Sequence, residues 1–272
     1  ASTTLFSGHS VLQVDGPPDR VQARGHGRLY SDMTPRPFSL LAEVYDAIMS
    51  DVEYGAWADF ILDAALGAGT EVGSVLDLGC GTGNSSAPFV ELGLPVTGLD
   101  LSAEMLEVAR QKLPQATFVQ GDFTSFDLGR TFDLVTSVFD SLNNLLDPGD
   151  FRRCAERTLA HLAPNGVFIF DVNTTVGLRN LWEDDRAEGW VDDVYYRWEH
   201  LFDEQTRLAQ VTAYCEKGPK GFTEVHLERP YDPPEVKTLL KRAGFGSVQV
   251  ITYPFGRPAT SGDERIWVVA KR

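Results

Sequence analysis

Three glycines at alternate positions, placed straight after an apolar run that carries an acid, constrain this chain more than any other feature. The run Ser74-Val75-Leu76-Asp77-Leu78 leads into Gly79-Cys80-Gly81-Thr82-Gly83. Its length and composition suit a buried parallel strand. Glycine at every second position lets the backbone turn and approach a ligand that any β-carbon would push away. The helix expected next presents unpaired N–H groups at its start. The stretch therefore specifies a ligand site as well as a shape.

The spacing is G-x-G-x-G, with Asn84 where a dinucleotide fingerprint would carry its last glycine. The following strands separate the possible ligands. Leu94 to Asp100 is a short apolar run ending in an acid, about 20 residues past the loop, where a carboxylate accepts ribose hydroxyls in more than one cofactor class. A third strand, Ala116 to Gln120, closes in Gly121-Asp122-Phe123. Asp77, Gly79, Gly81, Gly83, Asp100 and Asp122, in this order, resemble the motifs of class I S-adenosylmethionine (SAM) dependent methyltransferases. The resemblance implies SAM as cofactor, its amino-acid end and ribose against the loop and Asp100 on the ribose. Asp122 would meet the adenine amino group and Phe123 frame the ring. It further implies cofactor contacts from Cys80, Leu101, Gly121 and Val138. A nicotinamide-dependent oxidoreductase and a non-catalytic SAM-binding regulatory module are the alternatives.

At 272 residues the chain fits one large domain or a domain with an insertion. Its formal net charge of −15 repels phosphate backbones and anionic membrane surfaces, which disfavours nucleic acid as a substrate. A small-molecule acceptor fits better. Cys80, Cys154 and Cys215 are far apart and form no C-x-x-C pair, consistent with a reducing compartment and no zinc site. No apolar run approaches the roughly 20 residues of a membrane span, and a cytoplasmic protein is expected. Residues 1–32 balance three Arg against three Asp and show no sustained periodicity; they read as an N-terminal extension, with Met33-Thr34-Pro35 opening the folded part. Oligomeric state is open, a homodimer included.

Strands and helices alternate to about Val172. Helices are expected over Phe38 to Met49, Tyr54 to Leu66, after a cap at Asn84 or Ser85, over Ala103 to Lys112 behind Ser102, and from Asp147-Pro148 to about Leu162. Phe132 to Val138 and Val167 to Val172 are the fourth and fifth strands. This alternation predicts an α/β fold: a Rossmann-like, seven-stranded, mostly parallel sheet with helices on both faces. Tyr195 to Phe202, Arg207 to Cys215 and Phe222 to Arg229 then read as three antiparallel strands. Asp232-Pro233-Pro234 opens a last helix ending at Ala243-Gly244, before strands Ser247 to Tyr253 and Glu264 to Ala270. Residues 33–181 and 231–272 are assigned to the SAM-binding domain, and 182–230 to a small antiparallel β insertion over the substrate site.

Tyr45-Asp46-x-Ile48-Met49-x-Asp51-Val52-x-Tyr54-x-x-Trp57 resembles a group of bacterial methyltransferases of unassigned substrate, and the layout is similar to the N-methyltransferases of nucleotide-linked amino sugars. That similarity implies that Tyr45 covers the cofactor, with Tyr54 and Trp57 as weaker candidates. The amino-sugar enzymes carry a histidine close to the position of Asn144, and this chain does not. Nor does the fourth strand end in N-P-P-Y or D-P-P-Y. Asp140 and Asp171-Val172-Asn173 only approximate the acids of metal-dependent catechol-type enzymes, so no metal is expected. Methyl transfer from a sulfonium is mainly a matter of alignment, with an amine or hydroxyl acceptor needing a group to take its proton. Asp140, Tyr45 and His200 are the catalytic candidates. His161 is expected at the end of a helix, where positive charge suits the dipole. His226, alternating with Glu224 and Glu228, is placed on a polar strand face.

Overall fold

The computed structural model describes residues 38–181 and 186–272; the extension over 1–32 and the opening at Met33 lie outside them. Strand β1 (Val75–Leu78) is buried at all four positions, because it runs through the centre of the larger sheet with neighbours on both edges. β2 (Val96–Asp100), β3 (Thr117–Gln120), β4 (Phe132–Ser137) and β5 (Leu162–Asn173) follow in the chain. β6 (Arg186–Val191), β7 (Val194–Asp203), β8 (Leu208–Lys217) and β9 (Lys220–Glu228) form a second sheet in simple antiparallel order. β10 (Ser247–Ile251) and β11 (Arg265–Lys271) return to the first.

The larger sheet has seven strands in the order β10-β11-β5-β4-β1-β2-β3. β1 pairs parallel with β2 and β4, while β11 runs antiparallel between β5 and β10. Strand order reverses between β1 and β4, which opens a crevice at their carboxyl ends. The glycine loop leaves β1 at that point.

Helices cover both faces, and the period of two along each strand divides the core. Phe168 and Phe170 of β5 face α5 (Pro148–Ala160) and α7 (Pro233–Ala243), packing with Phe151, Cys154, Val236 and Leu240. Val167 and Ile169 face the other way, with Trp57 and Ile61 of α2 (Tyr54–Gly67) and Leu106 and Ala109 of α4 (Ala103–Lys112). Ser102 caps α4 by accepting from the Met105 N–H (3.1 Å), and Asp147 caps α5 from the Gly149 N–H (2.7 Å) ahead of Pro148. Gly244 ends α7 at φ +106°, the left-handed conformation that glycine adopts without penalty.

Four local expectations are corrected. Phe38 to Met49 is not one helix. It is a 3-10 turn (Leu41–Glu43) followed by α1 (Tyr45–Ile48), with Val44 between them out of helical geometry at φ −121°; the N–H groups of Phe38, Leu40 and Leu41 donate to the Glu224 carboxylate. The short α3 (Ala87–Glu91) starts at Ser86, not at Asn84 or Ser85; the hydroxyls of Ser85 and Ser86 both donate to Asp77 (2.7 and 2.6 Å). β5 begins at Leu162, and Pro164-Asn165-Gly166 is a register shift inside it. A β-carbon on Gly166 would stand 2.9 Å from the Phe132 carbonyl oxygen. The smaller sheet has four strands rather than three. β6 was hidden because its inward positions are Ala187, Gly189 and Val191, too small to write an apolar signature. Among the described residues no helix is long and apolar enough to cross a membrane.

Candidate active site

Gly79, Gly81 and Gly83 all have positive φ, at +74°, +52° and +85°. The three are not equivalent. A β-carbon on Gly79 would lie 2.8 Å from the Ser141 side chain and 3.0 Å from the Phe123 ring, whereas one on Gly81 would meet nothing within 4 Å. Gly79 is thus closed over by the strand ends opposite, and Gly81 faces open space. Asp100, the last residue of β2, fixes the loop from the side. Its Oδ2 accepts from the Gly81 N–H and its Oδ1 from the Ser102 N–H, each at 2.9 Å. Burial raises the Asp100 carboxyl, and these backbone N–H groups pull it back. Below the loop, Asp77 is inaccessible to solvent and pushed up to about 6 by burial, against the two serine hydroxyls.

The N-terminal segment lies over the loop. Asp46 accepts from the Thr82 hydroxyl, from Asn84 (3.0 Å) and from Lys112 (2.6 Å). Its neighbour Tyr45 lies within electrostatic range of Tyr54 and of the Asp140 and Asp100 carboxylates. Burial, followed by Tyr54 and these acids, pushes the Tyr45 phenol well above its ordinary value. Tyr45 is therefore a neutral hydrogen-bonding group, which removes it as an anionic base.

At the end of β4, Phe139 and Asp140 take left-handed φ values of +59° and +51°. Non-glycine residues rarely hold such values, and they concentrate where the surrounding structure imposes them. Here the Asp140 N–H reaches the Asp171 carboxylate (3.3 Å), and Asp140 Oδ2 accepts from Asn173 and from Arg265 (3.3 Å). Arg265 also pairs with Asp171, and its guanidinium lies over the rings of Phe139 (5.7 Å) and Trp57 (6.0 Å). Asp171 is not an open strand-end acid. It is fully buried, its Oδ1 has no hydrogen-bond partner among the described residues, and burial pushes it up to about 6 against the pull of Arg265.

The remaining expected residues scatter. Cys80 is buried beneath the loop, its Sγ occupying space that a β-carbon on Gly98 would need. Val138 is buried, and its carbonyl accepts from Ser141 Oγ (2.9 Å). Leu101 is mostly exposed beyond β2. Gly121 continues from β3 with its N–H on the Asp100 carbonyl (2.9 Å). Asp122 turns its Oδ1 back to the N–H and hydroxyl of Thr124 (2.7 and 2.6 Å). His200 lies on the buried face of β7, in register with Val211 and His226, while Asp140 takes its side-chain partners from Asn173 and Arg265. His226 does alternate with Glu224 and Glu228, but that face turns inward, and burial holds its imidazole down at about 4. His161 is buried, with Nε2 accepting from the Leu128 N–H (2.9 Å) and Nδ1 against the Arg157 carbonyl (2.7 Å). At the end of α5, both ring nitrogens thus meet backbone groups, with Asp127 Oδ1 3.4 Å from Nε2. Asp46, Ser141, Glu224, Glu228 and Arg265 escaped sequence reasoning. Asp46 stood in the sequence as part of the Tyr45-Asp46 text, and Glu224 and Glu228 only as the polar neighbours of His226.

The residues fit a sulfonium nucleoside. Gly81 leaves room where a ligand would lie against the backbone, and a fixed carboxylate stands beside it. A doubly wound sheet, a glycine loop at its switch point and an acid closing β2 define a Rossmann-like enzyme of the nucleoside-cofactor class. Residues 75–166 match the family model described as "Methyltransferase domain". Bacillus subtilis (strain 168) YqeM, which carries a methyltransferase name, is 32% identical over 241 residues, covering 85% of this chain and 95% of its own length. The dTDP-3-amino-3,4,6-trideoxy-alpha-D-glucopyranose N,N-dimethyltransferase of Streptomyces venezuelae is 31% identical over 231 residues, covering 79% and 94%. The crystal structure of a SAM-dependent methyltransferase from Clostridium acetobutylicum ATCC 824 superposes with a TM-score of 0.75 at 29% identity, over 85% of this chain and 97% of that one. The chain belongs to the SAM-dependent methyltransferases, and SAM is its methyl donor.

Proposed function

We propose that this enzyme methylates the nitrogen or oxygen of a small molecule held between the carboxyl ends of β4 and β5 and the inner face of the four-stranded sheet. The observation that carries the reading is that Asp100, fixed on the Gly81 N–H, and Asp140, at the end of β4, both lie within electrostatic range of the Tyr45 hydroxyl. Asp100 marks the ribose end of the cofactor crevice, and Asp140 marks the acceptor end. When bound, SAM supplies a methyl group already activated by the sulfonium charge.

The chain's own residues then align and desolvate. Gly79, Gly81 and Gly83 admit the cofactor's amino-acid end, Cys80, Asp77 and Val138 shape the floor, and Leu101, Gly121, Asp122 and Phe123 border the adenine. Tyr45 closes the crevice as a neutral donor. Holding the reacting atoms in line accounts for most of the rate. Asp140 stays close to the acceptor through Asn173 and Arg265, and His200 lines the sheet side. Residues 182–230 act as an insertion that covers the acceptor. Amino sugars are the substrates named for one relative, which favours nitrogen, while Asn144 in place of a histidine argues for a different acceptor skeleton.

Calorimetry with SAM and S-adenosylhomocysteine on wild type and Asp100→Ala tests the cofactor assignment. Radiolabelled methyl transfer to small-molecule pools tests the acceptor. Wild-type affinity in Asp100→Ala would overturn the ribose assignment.

A further inference from the structure

The inward face of β9 carries Glu224, His226 and Glu228 at alternate positions. One of the three is fully partnered. Glu224 accepts from three backbone N–H groups of the N-terminal segment. His226 lies beside Glu224 (3.4 Å) with the Phe38 ring 4.4 Å from its own. The two ring nitrogens of His226 and the Oε2 of Glu228 are closed off from solvent with no hydrogen-bond partner among the described residues, and Glu228 is the one of the two that carries a carboxyl.

The end of β9 is stitched to the turn that follows Asp140. The Arg229 N–H donates to the Asn143 carbonyl (2.8 Å), and Asn143 Nδ2 donates to the Arg229 carbonyl (2.8 Å). This brings Glu228 within electrostatic range of Asp140. Burial, and then the Asp140 charge, push the Glu228 carboxyl up to about 8, with Arg265 opposing. Arg265 is already committed to Asp171 and Asp140 and lies over two neighbouring aromatic rings. Asp140 and Asp171 thus share one guanidinium, and Glu228 lies within its electrostatic range without pairing to it. The cluster lacks a cation, and the unpartnered oxygen of Glu228 is where one would complete it.

Resting on the reading that this chain methylates a small molecule, we propose that Glu228 recognises the acceptor, which is an amine entering as an ammonium ion between Glu228 and Asp140. The entering charge ionises the Glu228 carboxyl, whose own proton leaves to solvent. The ammonium N–H bond then breaks with its electron pair left on nitrogen, and the proton moves to Oε2, giving a free amine and a carboxylic acid. Nitrogen bonds to the methyl carbon as the carbon–sulfur bond breaks towards sulfur. Positive charge passes from sulfur to nitrogen, so no further reactant is needed. A neutral hydroxyl brings no charge to this cluster and leaves Glu228 protonated.

The test uses the full chain as wild type, Glu228→Gln and Glu228→Asp. Each is offered radiolabelled SAM with primary and secondary amines, every amine paired with the alcohol of the same carbon skeleton. Label is expected on amines and not on their alcohols. In Glu228→Gln the rate is expected to fall by about 100-fold or more with SAM affinity unchanged, and Glu228→Asp recovers part of it. Calorimetry of the labelled amine into S-adenosylhomocysteine-saturated protein, in two buffers of different ionisation enthalpy, is expected to show proton release in wild type and none in Glu228→Gln. Equal label on alcohols, a Glu228→Gln enzyme as fast as wild type, or a SAM-binding protein that labels neither class overturns the proposal. Failure to bind SAM at all overturns the methyl-transfer reading instead.

Discussion

The Glu224 carboxylate stands 2.6 Å from the backbone N–H of Leu40, joining two segments 184 residues apart in sequence. The same group accepts from Leu41 (3.2 Å) and Phe38 (2.8 Å) and is fully buried. A carboxylate without water is tolerated because three oriented N–H groups replace its hydration. Its consequence reaches the cofactor crevice, since the segment it holds continues into Tyr45 and Asp46.

Removing that carboxylate leaves three backbone donors unpaired. Glu224→Ala is expected to cost about 1.5–3 kcal/mol of stability, and to weaken SAM binding by releasing Tyr45 and Asp46 from the loop. Hydrogen exchange at Leu40 and Leu41 should accelerate well before that of β1. Unchanged exchange together with unchanged SAM affinity would disconnect the segment from the crevice.

The glycines of the loop should separate by mechanism. Alanine at either Gly79 or Gly81 pays about 1–2 kcal/mol for a left-handed φ. At Gly79 the new methyl also strikes Ser141 and Phe123, while at Gly81 it projects into open space. Gly79→Ala is therefore expected to lower the melting temperature of the ligand-free protein more than Gly81→Ala. Gly81→Ala should lose SAM affinity at least as severely as it loses stability. Thermal melts without cofactor, beside calorimetry with it, distinguish the two. Equal melting temperatures would remove the crowding at Gly79.

Arg265 holds the acids of β4 and β5 together. Arg265→Met strands Asp140 and Asp171 beside each other and is expected to cost about 3–5 kcal/mol. In an Asp171→Asn background the same change should cost measurably less, because one of the stranded charges is gone. A double-mutant cycle in urea gives the coupling directly. A coupling of zero would mean that the pair does not act as a unit.

How far the sequence could be read depended on whether a feature is local. Val75 to Leu78, the Ser102 and Asp147 caps and the Gly244 stop each write their geometry within a few residues, and each formed as expected. The glycine loop and Asp100 were legible for the same reason, since strand, turn and following strand are contiguous in order. Glu224, Glu228 and Arg265 were not. A carboxylate that caps a segment 184 residues away looks, in sequence, like the polar half of an alternating strand. Alternation gives the faces of β9 correctly and cannot say which face turns inward. The break between the 3-10 turn and α1 was not legible either: Leu41, Val44 and Ile48 keep helical spacing, although Val44 itself leaves helical geometry.

Stability should fall with rising pH through the buried acids. Asp77 and Asp171 are raised to about 6 and Glu228 to about 8, against about 4 for carboxyls in an unfolded chain. Between those limits the folded state holds more protons than the unfolded one, so the contribution is complete at low pH and is withdrawn as pH rises through the folded values. The Asp77 and Asp171 share is spent by about pH 6, leaving Glu228 alone to titrate from there to about pH 8. Glu228→Gln cannot ionise, so its stability relative to wild type should grow by roughly 2–3 kcal/mol between pH 6 and 8 and then level off. Urea unfolding at pH 6, 7, 8 and 9 measures that difference, in which groups common to both proteins cancel. Parallel curves across the range would mean that Glu228 is already ionised at pH 6.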